Sequence, residues 1–282
     1  MRLPLGIAIV SFSFAIVPVL AGYLLRAWHS RQWRRAQAAA AGATTPEERF
    51  QQLPLRPPRG RWFWLFPAHT IAGGAGGIGA ALLLSPLLAP LSLRIAALLQ
   101  FDNLHEFLTQ PLCEELGKVL PLLIIYRTRW FRDALDGMIL GLAAGLGFAA
   151  FENLLYFVAA YERGGLPAWT TSVSERILFS TAVHGIASAL VGAYFGAAKQ
   201  NPSASIRRLA LIAGLCAAVA LHASWNGLIT SAHEEASSAL ALGALALLAA
   251  GATAFFLLFR RAIRPDTLAD TLTTREHQIA RI

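Results

Sequence analysis

The sequence predicts an all-α integral membrane protein of about seven transmembrane helices, and three observations lead there. Of 282 residues, 56% are hydrophobic and only 14% are charged, whereas soluble domains average roughly 25% charged. Seven apolar stretches are each long enough to cross a hydrocarbon core about 30 Å thick, which takes roughly 20 helical residues. The segments between them alternate between basic and acidic or balanced.

The stretches cover residues 3–25, 63–88, 105–126, 136–161, 173–198, 207–231 and 237–259. The first is too long for the apolar part of a signal peptide, and an arginine-rich segment follows it instead of a small-residue cleavage site. It reads as a retained helix. The expected layout is a first transmembrane helix over 1–26, an arginine-rich cytoplasmic linker over 27–61, a polytopic helical core over 62–260 and a cytoplasmic tail over 261–282. Residues 91–100 read either as a separate interfacial helix or as a continuation of the second span. Trp62, Trp64, Trp130 and Trp169 fall at predicted span ends, where amphipathic rings prefer the headgroup level. Asp136-Gly137 reads as the cap of the fourth helix. The glycine-rich runs 73–79, 141–147 and 192–196 read as close-packing positions between helices. Cys113 and Cys216 each lie in apolar sequence without metal-type spacing, so two free thiols are expected.

Orientation follows from the excess of Lys and Arg on the cytoplasmic side. One set of segments carries Arg26, Arg31, Arg34 and Arg35, then Arg127, Arg129 and Arg132, then Lys199, Arg207 and Arg208, then Arg260, Arg261 and Arg264. The opposite set carries Asp102 with Glu106, Glu162 with Arg163, and Glu234 with Glu235. The N-terminus is therefore expected outside and the C-terminus in the cytoplasm. The net charge of +8 is spread between apolar runs and not along one amphipathic face, which fits lipid headgroups as a partner and gives no sign of nucleic-acid binding.

Charged side chains at a bilayer centre cost about 2.5–3.5 kcal/mol each even on a lenient scale. Glu114, Glu115 and Lys118 in the third stretch and Glu152 in the fourth lie well inside apolar sequence, and His184 and His222 add polar groups to the fifth and sixth. Because adjacent helices run in opposite directions, Glu114, Glu152, His184 and His222 all come out roughly 12–15 Å from the outer surface at 1.5 Å per residue. Asn153 sits beside Glu152, and Asn226 lies one turn from His222 on the same face. Read blandly, Glu114 and Lys118 are an i, i+4 pair that neutralises itself, and each histidine is an interhelical hydrogen-bonding residue. Two histidines and two carboxylates in one layer point instead to a shared polar cluster that does chemistry.

The run Glu114-Glu115-Leu116-Gly117-Lys118, then Phe148-Ala149-Ala150-Phe151-Glu152-Asn153, then His184, then His222-Ala223-Ser224-Trp225-Asn226 resembles the PrsW family of intramembrane proteases. That family has an EExxK motif, an FxxxEN motif and two later histidines on separate helices. The resemblance covers 103–229. It is similar also to the CAAX-processing membrane proteases, which carry histidine where Glu152 stands here. What the resemblance implies is cleavage of a membrane-anchored protein, with an anti-sigma factor as the best-known kind of substrate, in a bacterial cytoplasmic membrane.

Peptide hydrolysis needs an activated water, an oxyanion donor and an acid for the leaving amine. The catalytic candidates are Glu114, Glu115, Glu152, His184 and His222, supported by Lys118, Asn153 and Asn226. In one scheme Glu114 is the general base, assisted by Glu152 or His184, with His222 and Asn226 donating to the oxyanion. In the other, Glu152, His184 and His222 hold a metal, with zinc as the candidate cofactor, although no HExxH helix is present. The rival readings are a proton-coupled transporter that uses the Glu/His groups as a relay, and a scaffold in which the cluster only locks helix packing.

Overall fold

The computed structural model describes residues 5–39, 42, 62–100 and 103–263, and no strand occurs among them. The helices are α1 (Leu5–Ala39), α2 (Trp62–Leu99), α3 (Gln110–Tyr126), α4 (Ala134–Glu175), α5 (Thr181–Gln200), α6 (Ala204–Glu234) and α7 (Ser238–Ala262). Single wide turns of π-helix, His105–Thr109 and Arg176–Ser180, lead into α3 and α5.

Four helical segments are long and apolar enough by length and composition to cross a membrane: Trp64–Leu99, Ala134–Gln200, Ala204–Glu234 and Ser238–Ala262. The protein is thus a multi-pass membrane protein. The second of these segments is not one straight rod. Helical geometry breaks at Gly164 and at Gly165, whose φ of 63° is a left-handed conformation that glycine adopts without strain. The chain folds back there: Gly145 lies on His184, Gly141 on Ser188, Gly137 on Gly192 and Gly196 on Asp133. Those pairs step four residues at a time and centre on the Gly164–Gly165 bend. A Cβ on Gly137 would strike the backbone of Gly192, and a Cβ on Gly192 would strike that of Gly137. Small residues at this spacing let two helix backbones touch where lipid offers no hydrophobic drive for association. The same approach sets His184 against the helix that carries Glu152.

Helices α3 and α6 complete the surround. Val119, Leu122 and Ile125 of α3 pack with Leu140 of α4, Ala187 and Val191 of α5, and Ala218 and Leu221 of α6 in one apolar cluster. Lys199 closes the end of α3 by donating from Nζ to the carbonyls of Tyr126 and Thr128, which suits a cation at a helix C-terminus.

Several expectations on local structure need correction. The cap of α4 is Asp133, whose side chain accepts from Asp136 N at 3.1 Å, while Asp136 accepts from Arg132 N. Trp169 is not at an exposed headgroup position: it is 7% exposed and donates from Nε1 to Ser11 Oγ of α1 at 2.8 Å. Trp64 and Trp130 are exposed. Of the two readings for residues 91–100, the structure has the second: residues 91–99 continue α2 past Pro86 and Pro90. Helix α1 runs on to Ala39, into the first part of the arginine-rich segment; apart from residue 42, the rest of that segment and the tail from 264 lie outside the described residues.

Candidate active site

Helix α3 runs on directly from the π-turn His105–Thr109, with Pro111 in its first turn, and the next turn presents Glu114, Glu115 and Lys118 to the interior. All three are 1–2% exposed. The Lys118 ammonium sits at the centre. Its Nζ donates to Glu115 Oε1 at 2.7 Å and to His184 Nδ1 at 3.0 Å, and lies 3.9 Å from Glu114 Oε2. It also rests 4.0 Å over the Phe148 ring, a cation–π contact that favours the charge in a dry setting. The i, i+4 pairing read from sequence is therefore the weaker one: the tight partner is Glu115, at i−3.

His222 of α6 donates from Nδ1 to Glu115 Oε1 at 3.0 Å, which leaves its Nε2 lone pair directed at Glu114 Oε2, 3.7 Å away. That oxygen is buried and has no hydrogen-bond partner. A buried oxygen without a hydrogen-bond partner, 3.7 Å from a ring nitrogen, leaves room for a proton, a water or a cation to be shared between them. The His184 and His222 rings meet edge to face with centroids 4.6 Å apart. Ligating atoms of Glu114, His184 and His222 all lie within 4.8 Å of one another, a group able to take a metal ion.

Glu152 of α4 is at the open edge of the cluster, with its side chain 13% exposed. Its Oε2 is 2.9 Å from His184 Nε2 and accepts from Arg176 Nη2 at 2.5 Å. Arg176 also donates from Nε to Asn153 Oδ1 at 3.0 Å, and Asn153 donates from Nδ2 to Thr181 Oγ1 at 2.9 Å. Sequence reasoning missed Arg176. The signal was present: an arginine just inside an apolar stretch, and a Glu152 with no cation one turn away on its own helix, where Phe148, Ala149, Leu155 and Tyr156 stand.

The structure thus brings together Glu114, Glu115, Lys118, Glu152, Asn153, His184 and His222 from α3, α4, α5 and α6. In this arrangement Glu114 completes the three-ligand group with the two histidines, while Glu152 is held by Arg176. Asn226, half-buried and one turn beyond His222, makes none of the cluster's hydrogen bonds among the described residues. Three carboxyl side chains and two cationic ones share the cluster, Lys118 between Glu114 and Glu115 and Arg176 on Glu152. Carboxylate and imidazole donors with one orphaned oxygen fit a divalent cation such as zinc.

Fold and site together define a multi-pass helical membrane protein with an acid–base cluster buried in its interior. Residues 59–259 match the family described as PrsW family intramembrane metalloprotease, and the chain belongs to that family. A curated relative, Protease PrsW of Shouchella clausii (strain KSM-K16), is 27% identical over 96 residues, which cover 34% of this chain and 40% of that protein. No solved structure matches.

Proposed function

We propose that this chain is an intramembrane endopeptidase that hydrolyses a peptide bond of a membrane-anchored protein, an anti-sigma factor being the first substrate to try, in a bacterial cytoplasmic membrane. The observation that carries the proposal is the orphaned Glu114 oxygen facing the His222 Nε2 lone pair inside a cluster built from the family's motif residues. Glu114, His184 and His222 would hold the metal, which when bound lowers the pKa of its water towards about 7 and polarises the scissile carbonyl. The chain's own groups do the rest. Glu115 fixes the His222 tautomer by accepting from Nδ1, as carboxylates behind metal-ligating histidines do. Lys118 anchors Glu115 by donating to the same Oε1 at 2.7 Å. Both contacts to Glu152 fall on Oε2, so Oε1 takes the attacking water's proton and returns it to the leaving amine.

One observation favours a second reading. Lys118 at His184 Nδ1 and Glu152 at Nε2 engage both ring nitrogens, which suits water activation by the glutamates alone, with Glu114 as base. Chelation separates the two. Under the metal reading, a strong chelator abolishes cleavage by the purified protein and stoichiometric zinc restores it. Full activity in metal-free protein leaves the glutamate reading.

The proposed topology has seven spans, an outside N-terminus and a cytoplasmic C-terminus, with residues 1–26, 27–61, 62–260 and 261–282 as first helix, linker, core and tail. The alternation of basic and acidic loops supports it. A reporter that works only in the cytoplasm is expected to be active when fused after Arg132 and silent when fused after Gly164. The reverse pattern would invert the topology.

A further inference from the structure

We propose that Arg176 is a positioning residue for the reaction, delivered by the π-turn Arg176–Ser180 to hold the Glu152 carboxylate in place and aimed at His184. The inference deepens the protease reading and rests on it for its catalytic half only.

Three observations converge. First, Arg176 supplies the compensation that Glu152 lacks on its own helix, from across the Gly164–Gly165 bend, with Nη2 2.5 Å from Glu152 Oε2. Second, the guanidinium is held at three points, the first being Glu152. Its Nε donates to Asn153 Oδ1 at 3.0 Å, and its Cζ lies 3.7 Å over the Tyr156 ring. Planarity matters here, because one flat fork reaches two adjacent side chains while stacking on a third.

Third, the wide turn is what makes the grip possible. Arg176 and Thr181 are five residues apart, which in a regular α-helix puts them about 140° apart around the axis. In the π-turn they stack. Thr181 donates to the Arg176 carbonyl both from its backbone N–H and from Oγ1, the latter at 2.9 Å. Asn153 can then bond to both, accepting from Arg176 and donating to Thr181. The result is a closed ring of hydrogen bonds that seats Arg176 beside Glu152. Single π-turns inside α-helices carry a cost and recur at functional sites.

The test is a stability and activity cycle on the full chain in detergent and in liposomes. Arg176→Met is expected to lower the thermal midpoint by on the order of 10 °C, because it strands a buried carboxylate. It is also expected to reduce cleavage by on the order of a hundredfold. Arg176→Lys should recover part of both, since it restores the charge without the fork. Adding Glu152→Gln to Arg176→Met should recover most of the lost stability and none of the cleavage. Equal destabilisation by Arg176→Met with and without Glu152→Gln would overturn the proposal, as would a wild-type midpoint for Arg176→Met. If Arg176→Met fails to accumulate, a folded Arg176→Met/Glu152→Gln double variant supports the proposal and an unfolded one contradicts it. The stability cycle needs no substrate, so a wild type that cleaves nothing would count against the protease reading and leave the placement of Arg176 standing.

Discussion

Glu152→Gln is expected to insert in the membrane and accumulate, and to lose cleavage of a co-expressed single-span substrate by on the order of a hundredfold or more. Glutamine keeps the shape and can still accept from Arg176 Nη2, but it has no ionisable oxygen to take the water's proton. The exposed edge of the cluster is where this matters, because Glu152 is the acid nearest the surface while Glu114 and Glu115 are closed in. His222→Ala should fall as far, since it removes both the donor to Glu115 Oε1 and the ring nitrogen that faces Glu114 Oε2. The double variant should be hardly worse than either single one, because groups that act as one unit are grossly non-additive. Immunoblotting of the substrate against matched enzyme levels reads all three. Wild-type cleavage by Glu152→Gln would remove it from the chemistry.

Lys118→Met is expected to be the most destabilising single change in the cluster, by about 3–5 kcal/mol, the usual cost of stranding one side of a buried ion pair. Methionine fills much of the same volume, so lost packing does not explain the effect. What goes is the charge that faces Glu115 at 2.7 Å and Glu114 at 3.9 Å, together with the donor to His184 Nδ1. Glu115→Gln in the same chain should restore part of the stability and none of the activity. Thermal unfolding in detergent measures this. A Lys118→Met protein as stable as wild type would mean that the carboxylates are neutralised in some other way.

Much of this arrangement was legible in the sequence because membranes make ionisable residues conspicuous. Glu114, Lys118, Glu152, His184 and His222 stand out against apolar neighbours, and counting residues from alternating ends put Glu114, Glu152, His184 and His222 at one depth. The structure gathers them into one cluster, with Lys118 and Glu152 hydrogen-bonded to His184 and Glu114 3.7 Å from His222. What could not be read was anything that depends on rotation about a helix axis. Lys118 reaches Glu115 in preference to Glu114 because side-chain direction, not spacing alone, selects between i−3 and i−4. Arg176 escaped because its place beside Glu152 depends on a π-turn, and nothing in the pattern of apolar residues marks where a helix widens by one residue.

Local propensity misled in two places. Asp136-Gly137 looks like a cap, yet Asp133 has the extended backbone of a capping residue and Asp136 is drawn to Arg132. Trp169 looks like an interfacial anchor, but a partner helix, α1, was available to bury it. Both outcomes were decided by tertiary neighbours that a single span does not reveal.

The most direct measurement is cleavage in a purified system: wild type and Glu152→Gln reconstituted separately in liposomes with a labelled single-span substrate, with fragments sequenced at their new ends. The account predicts two fragments from a single cut within or beside the substrate's span in the presence of wild type, and intact substrate with Glu152→Gln. Intact substrate with both proteins, together with dissipation of a proton gradient by wild type that Glu152→Gln abolishes, would contradict it and make the buried cluster a proton path.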